Sequence, residues 1–333
     1  MTLGKKAARK DVAREAGVSE TSVSYYINQN GYVSKEAGER IQQAIEKLHY
    51  SPNQIARSLK TKTSNQFVFL CNQIQNPFFS QIVSNATEAA YKKGYSILFS
   101  NVIDDETYLR KLCSYQVDGI FIPSGKIRQS ILKSLVSTGI PIVMLSDAAL
   151  KNLPKEIMQI RSDAALAFPR IIQHLRENGY SRFHFISSVH DVRRGTLDDK
   201  VQAFLNETSL SPEKDVSYNV DTAAKAEMLL TRDWPLLSEK DAFLCANDSV
   251  AQGVIYALYT KGIHVPEDVG VVGYDNTTPS RFFIPEISSV DYDADKLGEM
   301  IIEMLIRRVQ GKPVENRVIT PQFIARRSTM RNG

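Results

Sequence analysis

The first fifty residues alternate short helical patterns with turn residues. The apolar side chains between Asp11 and Gly17 share one face of a helix, and Gly17 is free to take the positive φ of a tight turn. Ser19 and Ser34 each stand at the N-cap position of a further segment with apolar residues at helical spacing. Two short helices joined at a glycine and closed by a third predict a helix-turn-helix unit.

From residue 67 onward, short apolar runs alternate with amphipathic segments. The runs are typical of buried parallel strands, and the alternation predicts doubly wound parallel sheets with ligands beyond the carboxyl ends of the strands. Pro169 lies about seven residues after a possible cap at Ser162, too deep for a first helical turn, so the helix there must start late or kink. The seven runs are Phe67–Cys71, Tyr95–Phe99, Gly119–Ile122, Ile140–Leu145, Phe183–Ile186, Ala242–Cys245 and Gly270–Tyr274.

The composition is that of an ordinary globular protein, with 43% apolar and 23% charged residues in a chain of 333. No apolar run approaches the roughly 18 residues that a membrane span needs, and the basic N-terminus lacks the apolar stretch of an export signal. We therefore expect a cytoplasmic protein without membrane contact. Three widely spaced cysteines favour reduced core thiols over a metal site or a disulfide framework.

The net charge of +4 is concentrated near the N-terminus. Residues 1–62 hold eleven Lys or Arg and six Asp or Glu, a net charge of +5, so the rest of the chain sums to −1. A basic head on a nearly neutral body indicates that the head binds a polyanion, with nucleic acid as the leading candidate. A polar helix face is ordinarily only solvated, but the charge, the capped turn and the spacing favour a second helix that reads base edges in the major groove.

Short motifs are spread over nearly the whole chain. They run from Asp11-Val12-Ala13, Ala16-Gly17-Val18-Ser19 and Thr21-Ser22-Val23-Ser24 through Tyr50–Leu59 to Arg326-Arg327-Ser328-Thr329. In these motifs the sequence resembles the lactose/galactose-repressor (LacI/GalR) family of bacterial transcriptional regulators. The resemblance implies a sequence-specific repressor that binds a palindromic DNA operator as a homodimer and responds to a small-molecule, sugar-like effector.

The resemblance also implies a domain organisation. A helix-turn-helix domain with a hinge helix at about 52–59 occupies residues 1–60, and a linker covers residues 61–66. The body at residues 67–333 resembles a periplasmic sugar-binding protein with two lobes, one of residues 67–158 plus 292–318 and one of residues 163–286. The effector is expected in the cleft between the lobes.

By the same resemblance, the second helix and the hinge carry the DNA contacts. Glu20, Thr21 and Tyr25 correspond to positions that choose operator bases. Leu59 corresponds to a leucine that is wedged into the central base step from the minor groove. The residues that fall mainly on phosphates are Ser19, Ser22, Ser24, Asn28 and Asn53.

The resemblance places effector contacts at the loops after the strands. Asn76 and Phe79 follow the first strand, where an aromatic ring can stack on a sugar face. Asn247 and Asp275 follow later strands, and Asp275 corresponds to a position that binds ligand hydroxyls in the family. Taken singly, each of these residues could be only a helix cap or a turn residue, but together they favour ligand binding. The expected set is completed by Ser124, Asp163, Lys200 and Tyr292.

Five positions depart from the family pattern. Tyr25 stands where arginine is common, so the preferred operator should differ from the commonest one, and Ala37-Gly38 replaces Thr-Arg in the third helix. Lys200 replaces a ligand-clamping arginine whose planar fork a lysine cannot reproduce. Asp163-Ala164 replaces the usual Asp-Asn pair, which removes one amide from the expected site.

Three other protein classes fit parts of the sequence. Some family members respond mainly to a phosphorylated carrier protein, and the changes at Lys200 and Ala164 leave that alternative open. A sugar-acting enzyme is disfavoured because no phosphate loop, zinc motif, nucleophile elbow or Cys/His cluster occurs, so we expect no catalytic residue, metal or cofactor. An exported solute-binding protein would leave the basic head unexplained.

Overall fold

A computed structural model describes residues 7–51, 63–71, 74–101, 105–123, 127–146, 153–163, 166–188, 199–232 and 237–331 of the chain. The chain divides into two compact units between Ser64 and Asn65. We call the N-terminal unit the headpiece and the C-terminal unit the body.

Among its described residues, the headpiece contains the three predicted helices, α1 (Arg9–Ala16), α2 (Glu20–Asn28) and α3 (Lys35–Lys47). Gly17 ends α1 with a φ of 63°. The Ser19 hydroxyl accepts a hydrogen bond from the Ser22 N–H (3.0 Å), as expected of an N-cap. A small core of side chains buried between the helices holds them together: Val12, Ala13, Ala16, Val23, Ile41 and Ala44.

Helix α1 starts two residues before the predicted segment. The carboxylate of Asp11 accepts a hydrogen bond from the Ala8 N–H at 2.9 Å, which satisfies a donor that the helix itself leaves open. The predicted cap of α3 is present, because the Ser34 hydroxyl accepts from the Ala37 N–H at 3.3 Å. Local capping chemistry therefore sets the boundaries of the headpiece helices.

The strands of the body are β1 (Gln66–Leu70), β2 (Ser96–Ser100), β3 (Gly119–Ile122), β4 (Ile142–Ser146), β5 (Ile157–Ser162), β6 (Arg182–Ile186), β7 (Val216–Ser217), β8 (Asp241–Cys245), β9 (Val269–Val272), β10 (Ser289–Asp291), β11 (Arg317–Ile319) and β12 (Gln322–Ile324). All seven predicted runs form strands. A first parallel sheet has the order β11-β5-β4-β3-β1-β2 and a second has the order β7-β6-β8-β9. Strands β10 and β12 form a separate antiparallel pair.

The helices of the body are α4 (Pro77–Lys92), α5 (Glu106–Cys113), α6 (Gln129–Val136), α7 (Phe168–Glu177), α8 (Asp199–Thr208), α9 (Ala223–Arg232), α10 (Asp248–Thr260), α11 (Thr278–Arg281) and α12 (Ala294–Val309). Helix α7 starts late, with Pro169 in its first turn, so the structure confirms the first of the two alternatives for this proline. None of the described helices is both long and apolar enough to cross a membrane.

The chain passes between the two sheets three times. It leaves the first sheet after β5 and enters the second at β6. It returns through β10 to α12, which packs against α4 beside the first sheet. After β11 it pairs β12 with β10, and the carbonyl oxygen of Ser328 then accepts a hydrogen bond from the Val271 N–H of the second sheet at 2.9 Å. These passages bring side chains from both halves of the body to the carboxyl ends of the strands.

Candidate DNA-reading face and ligand cleft

The outer face of α2 carries the side chains assigned to base reading. Glu20, Thr21 and Tyr25 are all exposed, Tyr25 by 40%. Thr21 and Tyr25 lie one helical turn apart, so both project from the same side of the helix. A carboxylate accepts hydrogen bonds and a hydroxyl both donates and accepts, so this face has the chemistry to bond base edges in a major groove.

The side chains assigned to phosphates lie toward the two ends of α2. The hydroxyls of Ser19 and Ser22 lie 2.9 Å apart at its N-terminus. Near its C-terminus, Asn28 Nδ2 donates to the carbonyl oxygen of Ser24 (2.8 Å) and to its hydroxyl (3.2 Å). The N-terminal pair stands where the helix dipole favours an anion such as a phosphate.

Two glycines make room for two neighbouring tyrosine rings. Gly38 is buried in α3, and a Cβ there would stand 3.1 Å from Cε2 of Tyr26, whose hydroxyl donates to Gln42 Oε1 at 3.2 Å. This contact gives a physical reason for the departure at Gly38. The ring of Tyr25 lies over Gly31, where a Cβ would stand 2.5 Å from Tyr25 Cγ. No sequence pattern signals either contact, because both depend on how the segment between α2 and α3 runs.

Lys200 is the charged residue of an aromatic cluster in the body. Its Nζ lies 3.8 Å from the ring centroid of Tyr274 and 5.8 Å from that of Tyr292, within the range of cation–π attraction. The Nζ also donates to the carbonyl oxygen of Ala246 at 3.3 Å. These interactions offset part of the cost of removing the ammonium from water, since Lys200 is only 8% exposed.

The same cluster reaches the residues that follow β1. The ring centroids of Tyr274 and Tyr292 lie 5.2 Å apart, and those of Tyr292 and Phe78 6.0 Å. Those of Phe78 and Phe79 lie 5.3 Å apart. The structure therefore brings Lys200, Tyr292 and Phe79 into one cluster. The sequence analysis did not predict Tyr274 and Phe78 as site residues. Each directly precedes a predicted site residue, and that adjacency is the signal that could have identified them.

Asn76 and Asn247 are both helix N-caps. Asn76 Oδ1 accepts from the Phe78 N–H at 3.0 Å and begins α4, and Asn247 Oδ1 accepts from the Val250 N–H at 2.9 Å and begins α10. Capping uses only the side-chain oxygen. The amide nitrogen is therefore the atom through which either residue would bind a ligand.

Asp275 lies in a turn with an uncommon backbone conformation. Asp275 and Asn276 have φ values of 100° and 50°, in the left-handed region that residues with a Cβ rarely adopt. The N–H of Asp275 donates to the Val290 carbonyl oxygen (2.9 Å), and that of Asn276 donates to Ser289 Oγ (3.0 Å). Both acceptors belong to β10, so this strand holds the turn in place.

The buried carboxylate of Asp248 binds the same turn and the same strand. Its Oδ2 accepts from the N–H (2.7 Å) and the hydroxyl (2.8 Å) of Thr277, and its Oδ1 accepts from the Ser289 hydroxyl (2.6 Å). Burial raises the pKa of Asp248. Gly273 leaves space for this carboxylate, because a Cβ there would stand 2.2 Å from Oδ1. Asp248 is therefore a structural anchor that ties the turn at Asp275 to β10.

The remaining predicted positions are less constrained. Asp163 is half-buried directly after β5, and its carbonyl oxygen accepts from the Leu166 N–H at 3.1 Å. Asn53, Leu59 and Ser124 lie outside the described residues. Within the described ranges, no group of three or more His, Cys, Asp or Glu side chains could hold a metal ion.

Comparisons with known proteins give a family match for the headpiece and another for the body. The headpiece matches the model of bacterial regulatory proteins of the lacI family over residues 10–53, and the body matches the periplasmic binding protein-like domain over residues 172–329. The chain is similar to the HTH-type transcriptional repressor PurR of Histophilus somni (strain 129Pt), with 30% identity over 97% of this chain and 98% of that protein.

Solved structures share the fold. The Lac repressor bound to ONPG in its repressed state aligns with a TM-score of 0.81 and 23% identity, covering 98% of this chain and 100% of that chain. The transcriptional regulator CelR in its cellobiose complex aligns with a TM-score of 0.65 and 24% identity, covering 97% of this chain and 99% of that chain. The predicted fold, a helix-turn-helix headpiece before a periplasmic-binding-protein-like α/β body, is confirmed.

Proposed function

The chain belongs to the lacI family of bacterial regulatory proteins and is a DNA-binding transcriptional repressor. We propose that it binds a twofold-symmetric operator as a homodimer and that a small-molecule effector controls this binding. The observation that carries the proposal is the exposed polar face of α2 on a headpiece region with a net charge of +5. Two copies related by a twofold axis match two half-sites of a palindrome. Such a regulator works in the cytoplasm and has no catalytic step.

Enrichment of binding sites from a random duplex pool with the full-length protein tests whether the protein binds a twofold-symmetric operator. We expect a palindromic motif, because each copy presents the same α2 face to one half-site. Failure to enrich any motif at low salt would contradict operator binding, and a single unpaired half-site would contradict the dimer. The residues that we assign to the operator are Ser19, Glu20, Thr21, Ser22, Ser24, Tyr25 and Asn28, together with Asn53 and Leu59 of the hinge segment outside the described residues.

Exposed apolar surface on the body supports the homodimer. A groove of about 410 Å³ runs between the outer face of α10 and the segment after α11. Tyr259 and Ile284 line it and are 76% and 90% exposed, so two large apolar side chains face solvent side by side in this groove. Phe99, 43% exposed, lies on β2 at an edge of the first sheet. We assign these surfaces to the contact between copies, since an apolar groove and an open sheet edge both gain from being covered.

Ile284→Glu is expected to weaken self-association by at least about 10-fold, because the contact would bury an unpaired carboxylate. Sedimentation equilibrium of the full-length protein measures this change. Operator affinity should fall with it, since a monomer holds a single half-site. Met228→Glu, at an exposed position on α9, is the matched control and should leave the dimer intact. Unchanged self-association of Ile284→Glu would contradict the assignment of the groove.

We propose that the effector is a sugar or sugar derivative bound near Lys200. Ring faces such as that of half-buried Phe79 suit the apolar face of a sugar, while the Lys200 ammonium and the Asp275 carboxylate supply polar groups. The fold neighbour CelR was solved in a cellobiose complex, which shows that this fold can hold a sugar. The residues we assign to the effector are Asn76, Phe79, Asp163, Lys200, Asn247, Asp275 and Tyr292, with Ser124 outside the described residues.

Calorimetry of the full-length protein against mono- and disaccharides and their phosphates tests the effector site. A sugar that binds the wild type should bind Lys200→Met roughly 10- to 100-fold more weakly, because a hydrogen bond to a charged group is lost. Exposed Lys155 supplies the control variant Lys155→Met, which should bind normally. Equal binding to Lys200→Met would contradict the role of Lys200. Binding of a phosphorylated carrier protein with no response to any sugar would favour the carrier-controlled alternative.

A further inference from the structure

The contact between Tyr25 and Gly31 is tighter than a side chain would allow. A Cβ on Gly31 would stand 2.5 Å from both Cγ and Cδ2 of Tyr25 and 2.9 Å from Cδ1. Real Cβ atoms essentially never approach ring carbons that closely, and the atoms concerned sit at the base of the ring, near its own backbone. A side chain at position 31 would therefore have to displace the whole ring of Tyr25.

The backbone itself does not require glycine at position 31. Gly17 has a φ of 63°, whereas Gly31 is not among the glycines with positive φ. The φ of Gly31 therefore does not by itself demand glycine. The space occupied by the Tyr25 ring is thus the physical reason for glycine at this position.

The neighbouring tyrosine shows what the Gly31 contact achieves. Tyr26 is partly buried against Gly38 and donates its hydroxyl to Gln42 Oε1, so its ring is held against α3. Tyr25 is covered by Gly31 on part of its ring and stays 40% exposed. One part of the ring therefore rests on the segment between α2 and α3 while the remainder faces outward beside Thr21. This arrangement limits the directions that the phenol can take before DNA arrives.

We propose that Gly31 is a positioning residue that determines operator specificity. Because it has no side chain, the Tyr25 ring packs against it, and this contact orients the Tyr25 hydroxyl toward one base edge in each half-site. The inference rests on the proposed function. A phenol offers one hydroxyl, which donates to a purine N7 or to a carbonyl oxygen, or accepts from an exocyclic amine. A single bond of this kind discriminates only if its direction is fixed. The segment between α2 and α3 thus takes part in base selection without touching a base.

Enrichment from a random duplex pool, followed by affinity measurements on operator variants, tests the inference in the full-length protein. Gly31→Ala and Tyr25→Phe should change the preference at the same base position, by roughly 2- to 10-fold for the loss of one hydrogen bond. All other positions of the motif should keep their preferences. Gly38→Ala adds the same methyl group against the ring of Tyr26 and should leave the motif unchanged.

A double-variant cycle separates positioning from a merely structural role. In a Tyr25→Ala background there is no ring to displace, so adding Gly31→Ala should cause no further change in base preference or in thermal midpoint. An additional change in preference on that background, or an equal loss across all operator variants in Gly31→Ala alone, would overturn the inference. If the wild type enriches no motif, the proposed function fails, and the inference fails with it. A wild-type motif that Gly31→Ala leaves untouched would overturn the inference alone.

Discussion

Asp248→Ala is expected to lower the free energy of unfolding of the body by about 3 kcal/mol or more at pH 7, because three buried donors lose their acceptor. Those donors are the N–H and hydroxyl of Thr277 and the hydroxyl of Ser289. Asp248 is 1% exposed, so water would have to enter the folded body to satisfy the donors that the carboxylate leaves. The substitution also frees the turn at Asp275, whose backbone conformation is held by its neighbours rather than preferred.

Urea unfolding of the full-length protein, followed by far-ultraviolet circular dichroism, measures the loss in the transition of the body. Glu303→Ala is the matched control, because this acid lies on the exposed side of α12 and surface changes are usually within about 0.5 kcal/mol. A loss for Asp248→Ala as small as that of the control would show that the carboxylate does not anchor the turn. The same variant should weaken effector binding, since Asp275 would no longer be held in place.

The pH dependence of this loss has a definite sign. Burial raises the pKa of Asp248 in the folded body, so the folded state holds the proton more tightly than the unfolded chain does. The contribution of this carboxyl to stability is therefore fullest below its ordinary pKa and declines as the pH rises through the raised pKa. The stability difference between the wild type and Asp248→Ala should be larger at about pH 4 than at pH 7. The opposite trend would mean that the hydrogen bonds outweigh burial.

Local chemistry made most of the fold predictable from the sequence. Ser19 and Ser34 cap helices through bonds to residues three positions away, so their effect can be read from a short window. The parallel strands are short apolar runs because both faces of a doubly wound sheet are covered. Pro169 constrained its helix through its own missing N–H, which again needs no distant partner.

Distant contacts account for what the sequence could not reveal. Asp248 meets Ser289, which is 41 positions away, so nothing near Asp248 distinguishes a structural anchor from a ligand contact. Lys200 was predicted as a weakened ligand clamp, but its contact with Tyr274 depends on how α8 and the end of β9 pack together. The contact between Tyr25 and Gly31 joins residues that are close in sequence, yet it depends on the path of the irregular segment between α2 and α3.

Operator affinity is expected to fall by about 10³-fold or more between 50 and 200 mM salt. Each copy carries a net charge of +5 over residues 1–62, whereas the rest of the chain sums to −1. A dimer that contacts about 6–10 phosphates releases a comparable number of condensed cations, so the logarithm of the affinity should fall with the logarithm of salt with a slope of roughly −5 to −9. Titration of a labelled operator at a series of salt concentrations measures this slope.

The body supplies an internal reference for that titration. Self-association through the groove at Ile284 buries apolar surface, and its strength should change little over the same range, because screening acts on charges rather than on apolar contacts. A steep slope for the operator with a flat response for the dimer would locate the electrostatic attraction in the headpiece. Parallel falls in both would mean that salt dissociates the dimer first. A flat operator response would mean that the basic residues do not face the duplex, and the α2 face would then lose its assignment to DNA.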